Sequence, residues 1–240
     1  MPTKMKIKKI ALALALSIWF IAPASAASAG GEALRPANND ITNTASLQRG
    51  ARNFVNYCLG CHSARYVRYS RLGADLGLTE AQVMENLMFT GSAIHDTMQV
   101  ALPPQNAARW SGTAPPDLSL IARARGTDYI YSFLKSFYLD PKRPTGVNNL
   151  ILPNTSMPDV LWELQGYQTA VYRGGSDPAQ DAVHKKFKGF ELAQAGTLTP
   201  EQYDQFVRDT VNFLDYIGEP MQLQRRNLGF QVLGFLFVFF

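Results

Sequence analysis

The sequence has few of the residues that build most metal and disulfide sites. Its 240 residues include two cysteines, Cys58 and Cys61, and three histidines. A structural zinc site usually takes four nitrogen or sulfur ligands, often from two separated pairs. This chain has no second cysteine pair, and His95 and His184 lie far from the cysteines in unrelated surroundings. The composition therefore argues against a structural zinc site.

Arginine is absent before Arg35, although mitochondrial transit peptides are rich in it. Residues 1–9 instead carry four lysines, and the 13 residues 10–22 are mostly apolar. Small residues, Ala24-Ser25-Ala26, then supply the pattern that a signal peptidase accepts. We predict that residues 1–26 are a cleavable secretory signal peptide. A retained N-terminal anchor is the alternative, but a membrane span needs about 20 apolar residues.

The excess of positive charge belongs to this N-terminal segment. The formal net charge is +4, and residues 1–26 contain four lysines and no acidic residue. Their removal leaves 19 basic and 19 acidic residues. A neutral mature chain gives no electrostatic reason to expect a nucleic-acid partner.

Both cysteines stand in the stretch NYCLGCHSARYVRYSRL, with His62 directly after Cys61. A thioredoxin-like disulfide would follow a strand in a βαβ pattern, but the preceding SLQRGARNFVNY has helical spacing, with Ser46 as a candidate N-cap. In the pattern C-x-x-C-H, two thiols add to the vinyl groups of haem and the histidine binds its iron. We therefore predict one covalently bound haem c, attached through Cys58 and Cys61 with His62 as an iron ligand.

The ligand on the opposite face of the iron decides what the haem does, because an open position admits oxygen, peroxide or small gases. Met157 lies between Pro153 and Pro158 in a non-helical segment, where a thioether can be directed at a cofactor. A methionine that only fills a gap under a loop is the alternative. The other candidates are Met84, Met88, Met98, Met221, His95 and His184.

Several stretches together resemble the cytochrome c1 family. They are the C-x-x-C-H region, APPDLSLIARARG followed by DYIYSFL, SMPDVLWELQG, and FLDYIGEPMQ before an apolar terminus. The resemblance implies that His62 and Met157 are the axial iron ligands. It also implies that Arg125 pairs with a haem propionate, with Arg123 as a rival, and that Tyr129 lies against the haem pocket.

The resemblance further implies an electron carrier within a quinol-oxidising bc1 complex, with no catalytic acid–base site of its own. Its partners would be cytochrome b, the Rieske iron–sulfur protein as electron donor and a soluble c-type cytochrome as acceptor. The haem domain would face the periplasm at the bacterial inner membrane. One rival is a membrane-anchored monohaem cytochrome of another oxidase or dehydrogenase. Another is a haem enzyme or gas sensor with an open sixth position.

The fold expected from pattern and resemblance is an all-α cytochrome c-like domain with long proline-containing loops. Capping boxes at Thr79 and Thr199 begin two helices, and a helix is predicted over TDYIYSFLKSFYL, ending before Pro141. No convincing alternating run predicts a strand. The exported domain is predicted to span residues 27–224.

The last residues, 225–240, are predicted to begin a C-terminal transmembrane helix. Leu228 to Phe240 contains only one polar residue, Gln231. Thirteen residues at 1.5 Å rise per residue reach roughly 20 Å, against about 30 Å of hydrocarbon. Arg225 and Arg226 would also lie on the exported side, against the positive-inside rule. We therefore expect the natural chain to continue beyond Phe240 and complete the anchor.

Overall fold

The structure is a computed structural model that describes residues 32–100, 102–173 and 186–240. The predicted signal peptide, residues 1–26, lies outside these described residues, as does His184. The domain boundaries predicted from the sequence, 27–224 and 225–240, stay predictions.

Helices contribute more residues than strands to the described chain. In chain order they are α1 (Thr44–Tyr57), α2 (Tyr69–Leu76), α3 (Glu80–Asn86), α4 (Pro104–Ser111), α5 (Ile121–Arg125), α6 (Thr127–Leu134), α7 (Trp162–Gln165), α8 (Pro200–Gly218) and α9 (Gln222–Phe239).

The strands of the described residues form three two-stranded antiparallel sheets. The pairs are β1 (Ala64–Arg68) with β2 (Thr97–Met98), β3 (Phe137–Leu139) with β4 (Val147–Asn149), and β5 (Gly166–Arg173) with β6 (Lys186–Ala195).

The prediction of an all-α fold is therefore wrong, since the chain mixes helices and strands. Strands of two or three residues are too short to display an alternating pattern. The longer β5 buries Gly166 and Gln168, but the rest of it is half-exposed or exposed, so no apolar alternation marks it. The helix predicted to run to Leu139 ends at Leu134, because Phe137 to Leu139 pair with β4 instead.

Both predicted capping boxes are confirmed. The Thr79 hydroxyl accepts a hydrogen bond from the Gln82 N–H, and the Gln82 side chain accepts one from the Thr79 N–H. Thr199 and Gln202 repeat this arrangement at the start of α8. The predicted N-cap of α1 is wrong: Asn43 caps the helix, whereas the Ser46 hydroxyl donates to Asp209.

The core is centred on the packing of α1 against α8. Gly50 faces α8 so closely that a Cβ there would lie 2.1 Å from the Asp209 carbonyl oxygen. The buried Asp209 carboxylate accepts hydrogen bonds from Ser46 and Arg49 of α1 at 2.6 Å each. Because α1 ends directly before Cys58, this contact fixes the position of the C-x-x-C-H motif relative to the core.

The predicted C-terminal transmembrane helix is also wrong. In the described parts of the chain, no helix combines the length and the apolar character that a bilayer crossing requires. α9 covers Gln222–Phe239, and its first turns contain Gln222, Gln224, Arg225, Arg226 and Asn227. These polar residues shorten the apolar part of the helix.

Candidate functional site

The two cysteines lie in the turn that ends α1. Cys58 is the C-cap of the helix, and the N–H groups of Cys61 and His62 both donate to its carbonyl, at 3.0 and 2.8 Å. Leu59 is buried and anchors the turn, Cys58 packs half-buried against the core, and Cys61 is exposed. The end of α1 and the turn after it therefore present both cysteine side chains and the His62 imidazole from one short segment.

Both thiols are free, and that of Cys58 is not suited to disulfide exchange. Burial, reinforced by the nearby Cys61 thiol, raises the pKa of Cys58 to about 12. Redox-active cysteines instead have lowered pKa values that supply thiolate at neutral pH. The raised pKa of Cys58 therefore does not support a redox-active disulfide at this motif.

His62 is oriented by a hydrogen bond from its own ring. Nδ1 lies 2.7 Å from the carbonyl oxygen of Pro116. Since a carbonyl can only accept, Nδ1 carries the proton and Nε2 keeps its lone pair. Burial lowers the pKa of His62, although the Pro116 carbonyl and the Asp117 carboxylate act in the opposite direction. The imidazole is therefore neutral at neutral pH, which is the form that binds metals.

Residues 116–119 are held against the segment after the motif by hydrogen bonds to both backbone and side-chain acceptors. The Leu118 N–H donates to the Ser63 carbonyl at 2.8 Å, and the Tyr66 N–H donates to the Ser119 hydroxyl at 3.1 Å. Asp117 accepts from the Arg65 N–H at 3.0 Å. Sequence reasoning missed the role of Pro116, because no local pattern predicts which carbonyl a distant histidine will meet.

Met157 lies in a turn that its neighbours fix. Asn154 adopts a left-handed conformation with φ of 64°, and the Thr155 hydroxyl accepts from the Met157 N–H at 3.3 Å. Two residues later, the buried Asp159 carboxylate accepts from the Leu161 N–H at 3.2 Å. Burial raises the pKa of Asp159 to about 6, although the bond from Leu161 acts in the opposite direction. The Met157 side chain packs half-buried at the edge of the core, as Cys58 and Tyr129 do.

The other described ligand candidates are placed differently. Met98 is fully buried in β2 and pairs with Ala64, so it is core packing. Met84 is half-exposed on α3, and Met221 receives a hydrogen bond from Arg71 at 3.4 Å. His95 is exposed. Met88 lies just after α3 and packs half-buried against the core, as Met157 does. The geometry therefore keeps Met157 and Met88 as the two non-helical methionines at the edge of the core, and only Met157 has the resemblance to support it as a ligand.

Arg123 and Arg125 have different surroundings, although both are on α5. Arg123 forms an ion pair with Glu219. Arg125 is exposed, lies 5.5 Å from the centroid of the Tyr129 ring, and has no ion-pair partner among the described residues. Tyr129 stacks in turn on Phe133, with ring centroids 6.3 Å apart. Arg125 therefore keeps its charge available for an anionic group, whereas Arg123 does not.

These residues fit a covalently attached haem. The site offers two free thiols at the right spacing, an imidazole with Nε2 available, a thioether at the edge of the core and a guanidinium without a carboxylate. No group of three or more His, Cys, Asp or Glu side chains within residues 32–100, 102–173 and 186–240 could hold a metal ion. The donor set thus suits haem iron rather than a bare metal.

Comparison with known proteins agrees with this chemistry. Residues 39–240 match the model of the cytochrome C1 family, which covers most of the chain. This chain belongs to the cytochrome c1 family. It is 47% identical over 230 residues to cytochrome c1 of Allochromatium vinosum, a match that covers 95% of this chain and 93% of that protein.

Two further relatives are similar over most of the chain, and one of them has a different name. The chain is 42% identical over 218 residues to a protein of Nitrosomonas europaea named ammonia monooxygenase gamma subunit, covering 90% of this chain and 87% of that protein. It is 30% identical over 209 residues to cytochrome c1 of Rhodospirillum rubrum, covering 79% and 75%.

Membership of the family confirms the predicted cofactor. Cytochrome c1 proteins carry one covalently bound haem c, and this protein carries one as well. It is a haem c electron carrier of the cytochrome bc1 complex, a membrane-associated assembly in which cytochrome b is a partner.

Proposed function

We propose that this protein holds its haem iron between His62 and Met157 and passes single electrons from the Rieske iron–sulfur protein to a soluble c-type cytochrome. The observation that carries the proposal is the hydrogen bond from His62 Nδ1 to the Pro116 carbonyl at 2.7 Å. That bond fixes the tautomer and the ring orientation and leaves Nε2 available to the metal, as the outer partners of metal-binding histidines do.

Cys58 and Cys61 are the proposed attachment points. They are free thiols in one helix-terminal turn, one half-buried against the core and one exposed. Thioether bonds at these positions would hold the cofactor between the core and solvent. An exposed edge of this kind is what an electron carrier needs in order to reach an external partner.

Met157 is the proposed second axial ligand. Its backbone N–H is bound by the Thr155 hydroxyl, and no hydrogen bond to its sulfur is formed within the described residues. A thioether ligand raises the reduction potential of haem relative to stronger donors, and a fully ligated iron excludes exogenous ligands. When bound, haem c supplies reversible exchange of one electron between ferrous and ferric iron.

Arg125 and Tyr129 are proposed to line the cofactor pocket. The Arg125 guanidinium is held over the Tyr129 ring at 5.5 Å and has no carboxylate partner in the described structure. A guanidinium binds a carboxylate strongly through paired hydrogen bonds, so Arg125 is the proposed partner of a haem propionate. The ion pair of Arg123 with Glu219 makes Arg123 the weaker candidate.

We place the haem domain on the exported side of the membrane, because the sequence of residues 1–26 has the features of a secretory signal. Electron donation by the Rieske protein and acceptance by a soluble cytochrome follow from the resemblance. The name of the Nitrosomonas relative, ammonia monooxygenase gamma subunit, raises the alternative that the chain serves a monooxygenase. Purification from native membranes distinguishes a bc1 subunit from a monooxygenase subunit, because a bc1 subunit must co-purify with cytochrome b.

Replacement of Met157 by alanine tests the ligand assignment. We expect Met157→Ala to keep its covalent haem, to lose its sixth ligand, to bind carbon monoxide when reduced and to show a substantially lower reduction potential. Met84→Ala is the matched control, because Met84 is half-exposed on α3. It should keep the wild-type potential and exclude carbon monoxide. A Met157→Ala protein that behaves like this control would remove Met157 as the ligand.

A further inference from the structure

The segment that leads to Met157 follows β4 and has no regular structure of its own. Residues 150–157 form successive turns and bends, so no regular ladder provides acceptors for their N–H groups. Such a segment must find other acceptors where it packs on the protein, because an unpaired buried N–H is costly. The last two residues of β4, Asn148 and Asn149, supply them, and both are buried.

Each of these asparagine side chains accepts two backbone N–H groups. Asn149 Oδ1 accepts from Ile151 and Leu152, at 2.9 and 3.1 Å. Asn148 Oδ1 accepts from Asn149 and Asn154, at 2.9 and 2.8 Å. The two side chains thus take the place of backbone acceptors and shape the chain directly after β4, as asparagine commonly does in turns.

The nitrogen atoms of the same amides anchor the arrangement to neighbouring elements. Asn149 Nδ2 donates to the Phe133 carbonyl of α6 at 2.8 Å. Asn148 Nδ2 donates to the Asp140 carboxylate, in the turn between β3 and β4, at 3.0 Å. Each amide uses its oxygen and its nitrogen at once, which fixes its orientation. Since α6 also carries Tyr129, the segment is tied to the helix that lines the proposed haem pocket.

Asn154 is held from both sides. Its φ of 64° is a left-handed conformation, which is uncommon for residues other than glycine, although asparagine tolerates it. Its N–H donates to Asn148 Oδ1, and its carbonyl accepts from Arg143 Nη2 at 3.2 Å. The next residue, Thr155, accepts from the Met157 N–H. The contacts therefore continue from the turn between β3 and β4, through Asn154, to Met157.

We propose that Asn148 and Asn149 are positioning residues for the axial methionine, and that their side chains keep the Met157 thioether on the iron. This inference rests on the proposed function, in which Met157 is the second axial ligand. A loop that is ordered in advance loses less conformational entropy when its side chain binds. Loss of either amide should therefore increase the time that Met157 spends away from the iron. The haem should stay attached, because Cys58 and Cys61 lie on a separate segment.

The test measures carbon monoxide binding and the reduction potential of haem c in the purified bc1 complex. Carbon monoxide can reach the iron only while Met157 is detached, so its rate of binding to the reduced protein reports how often the loop opens. Asn148→Ala removes the acceptor of the Asn154 N–H. We expect it to raise this rate about 5- to 30-fold and to lower the potential. Hydrogen exchange in residues 150–157 should accelerate by a similar factor.

An exchange of two side chains separates a specific contact from general destabilisation. Asn148→Asp keeps an oxygen for the Asn154 N–H but places a second carboxylate beside that of Asp140, so the carbon monoxide rate should rise. Addition of Asp140→Asn supplies a donor at position 140. The double variant should return the rate and the potential to within about twofold of the wild type.

A milder variant tests the other side of Asn154 with little risk to folding. The Arg143 side chain is only partly buried, and it gives one bond to the Asn154 carbonyl. Arg143→Gln should therefore raise the carbon monoxide rate by a smaller factor, about 2- to 5-fold.

Asn212→Ala is the matched control. Asn212 is buried in α8 and donates to the Asp40 carbonyl and the Ser46 hydroxyl, at 2.7 and 3.0 Å. Its removal should lower Tm without removing any bond to residues 150–157. The carbon monoxide rate and the potential should both stay at their wild-type values.

The proposal is overturned if Asn148→Ala and Arg143→Gln behave like this control, or if the double variant is no better than Asn148→Asp. Met157→Ala, measured in the same series, shows which assignment has failed. If Met157→Ala also excludes carbon monoxide, the ligand assignment itself is wrong. If Met157→Ala binds carbon monoxide while the asparagine variants keep the wild-type rate, the positioning role alone is wrong.

Discussion

Gly50 determines how closely the helix that precedes the haem motif can approach α8. A Cβ at this position would lie 2.1 Å from the Asp209 carbonyl oxygen and 2.6 Å from the Phe213 Cβ, whereas real Cβ atoms essentially never approach a heavy atom within 3.0 Å. Gly50→Ala therefore requires the two helices to separate by about 1 Å, since backbone atoms cannot rotate away as a side chain can.

The cost follows from two opposing effects. Alanine in a helix interior is favoured over glycine by roughly 0.5–1 kcal/mol, but overpacking a core typically costs about 1–3 kcal/mol, occasionally more. Separation would also lengthen the bonds from Ser46 and Arg49 to the buried Asp209 carboxylate. With about 1 kcal/mol added for these weakened bonds, we expect a net loss of about 1–3 kcal/mol in the free energy of unfolding. At about 2–4 °C per kcal/mol for a domain of this size, Tm falls by roughly 2–12 °C.

Thermal unfolding followed by far-UV circular dichroism measures this change. Gly229→Ala is the control, because Gly229 lies inside α9 with no atom within 4 Å of an added Cβ. It should leave Tm unchanged or raise it slightly. The yield of covalently attached haem, measured by absorbance after denaturation, should fall in Gly50→Ala alone. A Gly50→Ala protein with a Tm equal to or above that of the wild type would refute the close contact between α1 and α8.

Two further predictions concern acid stability and processing. Burial alone would raise the pKa of Asp204, but hydrogen bonds from Lys135, Tyr131 and Arg208 hold it well below its usual range. The stability that these bonds provide is therefore present above about pH 4 and lost as the pH falls further. Asp204→Asn should cost about 1–2 kcal/mol at neutral pH, and denaturant titrations at falling pH should show this difference disappearing. The mature protein should begin near Ala27, and N-terminal sequencing that returned Met1 from native membranes would contradict cleavage.

The parts of the fold that the sequence predicted correctly are those with strong local signals. Each capping box consists of reciprocal hydrogen bonds between residues three apart, in Thr79 with Gln82 and in Thr199 with Gln202. The local sequence alone therefore determines where these two helices begin. The missed strands depend on distant partners. Phe137 has a helical neighbourhood in the sequence, but it lies opposite Asn149 in a sheet. The sequence before Leu139 therefore favours helix, and tertiary pairing overrides it.

The candidate site shows the same difference between features set by the local sequence and features set by distant contacts. Cys58, Cys61 and His62 lie within five consecutive residues, and the motif that they form could be recognised from C-x-x-C-H alone. The carbonyl of Pro116 is 54 residues from His62, and no local rule relates the two positions. Arg123 and Arg125 are two residues apart with the same side chain. The positions of Glu219 beside Arg123 and of Tyr129 beside Arg125 distinguish them, and the first depends on how α5 packs against α8.

The two sides of the proposed iron site also differ in how firmly the chain holds them. His62 is fixed by its backbone bond to Cys58 at 2.8 Å, by its ring bond to Pro116 at 2.7 Å, and by a turn anchored through buried Leu59. Met157 is held by one bond of 3.3 Å from its own N–H and by a turn whose two ends, Thr155 and Asp159, are buried. The methionine side therefore depends on a loop and the histidine side on a helix end. Because loops open at lower free energy than core helices, loss of the thioether should precede loss of the imidazole when the protein is destabilised.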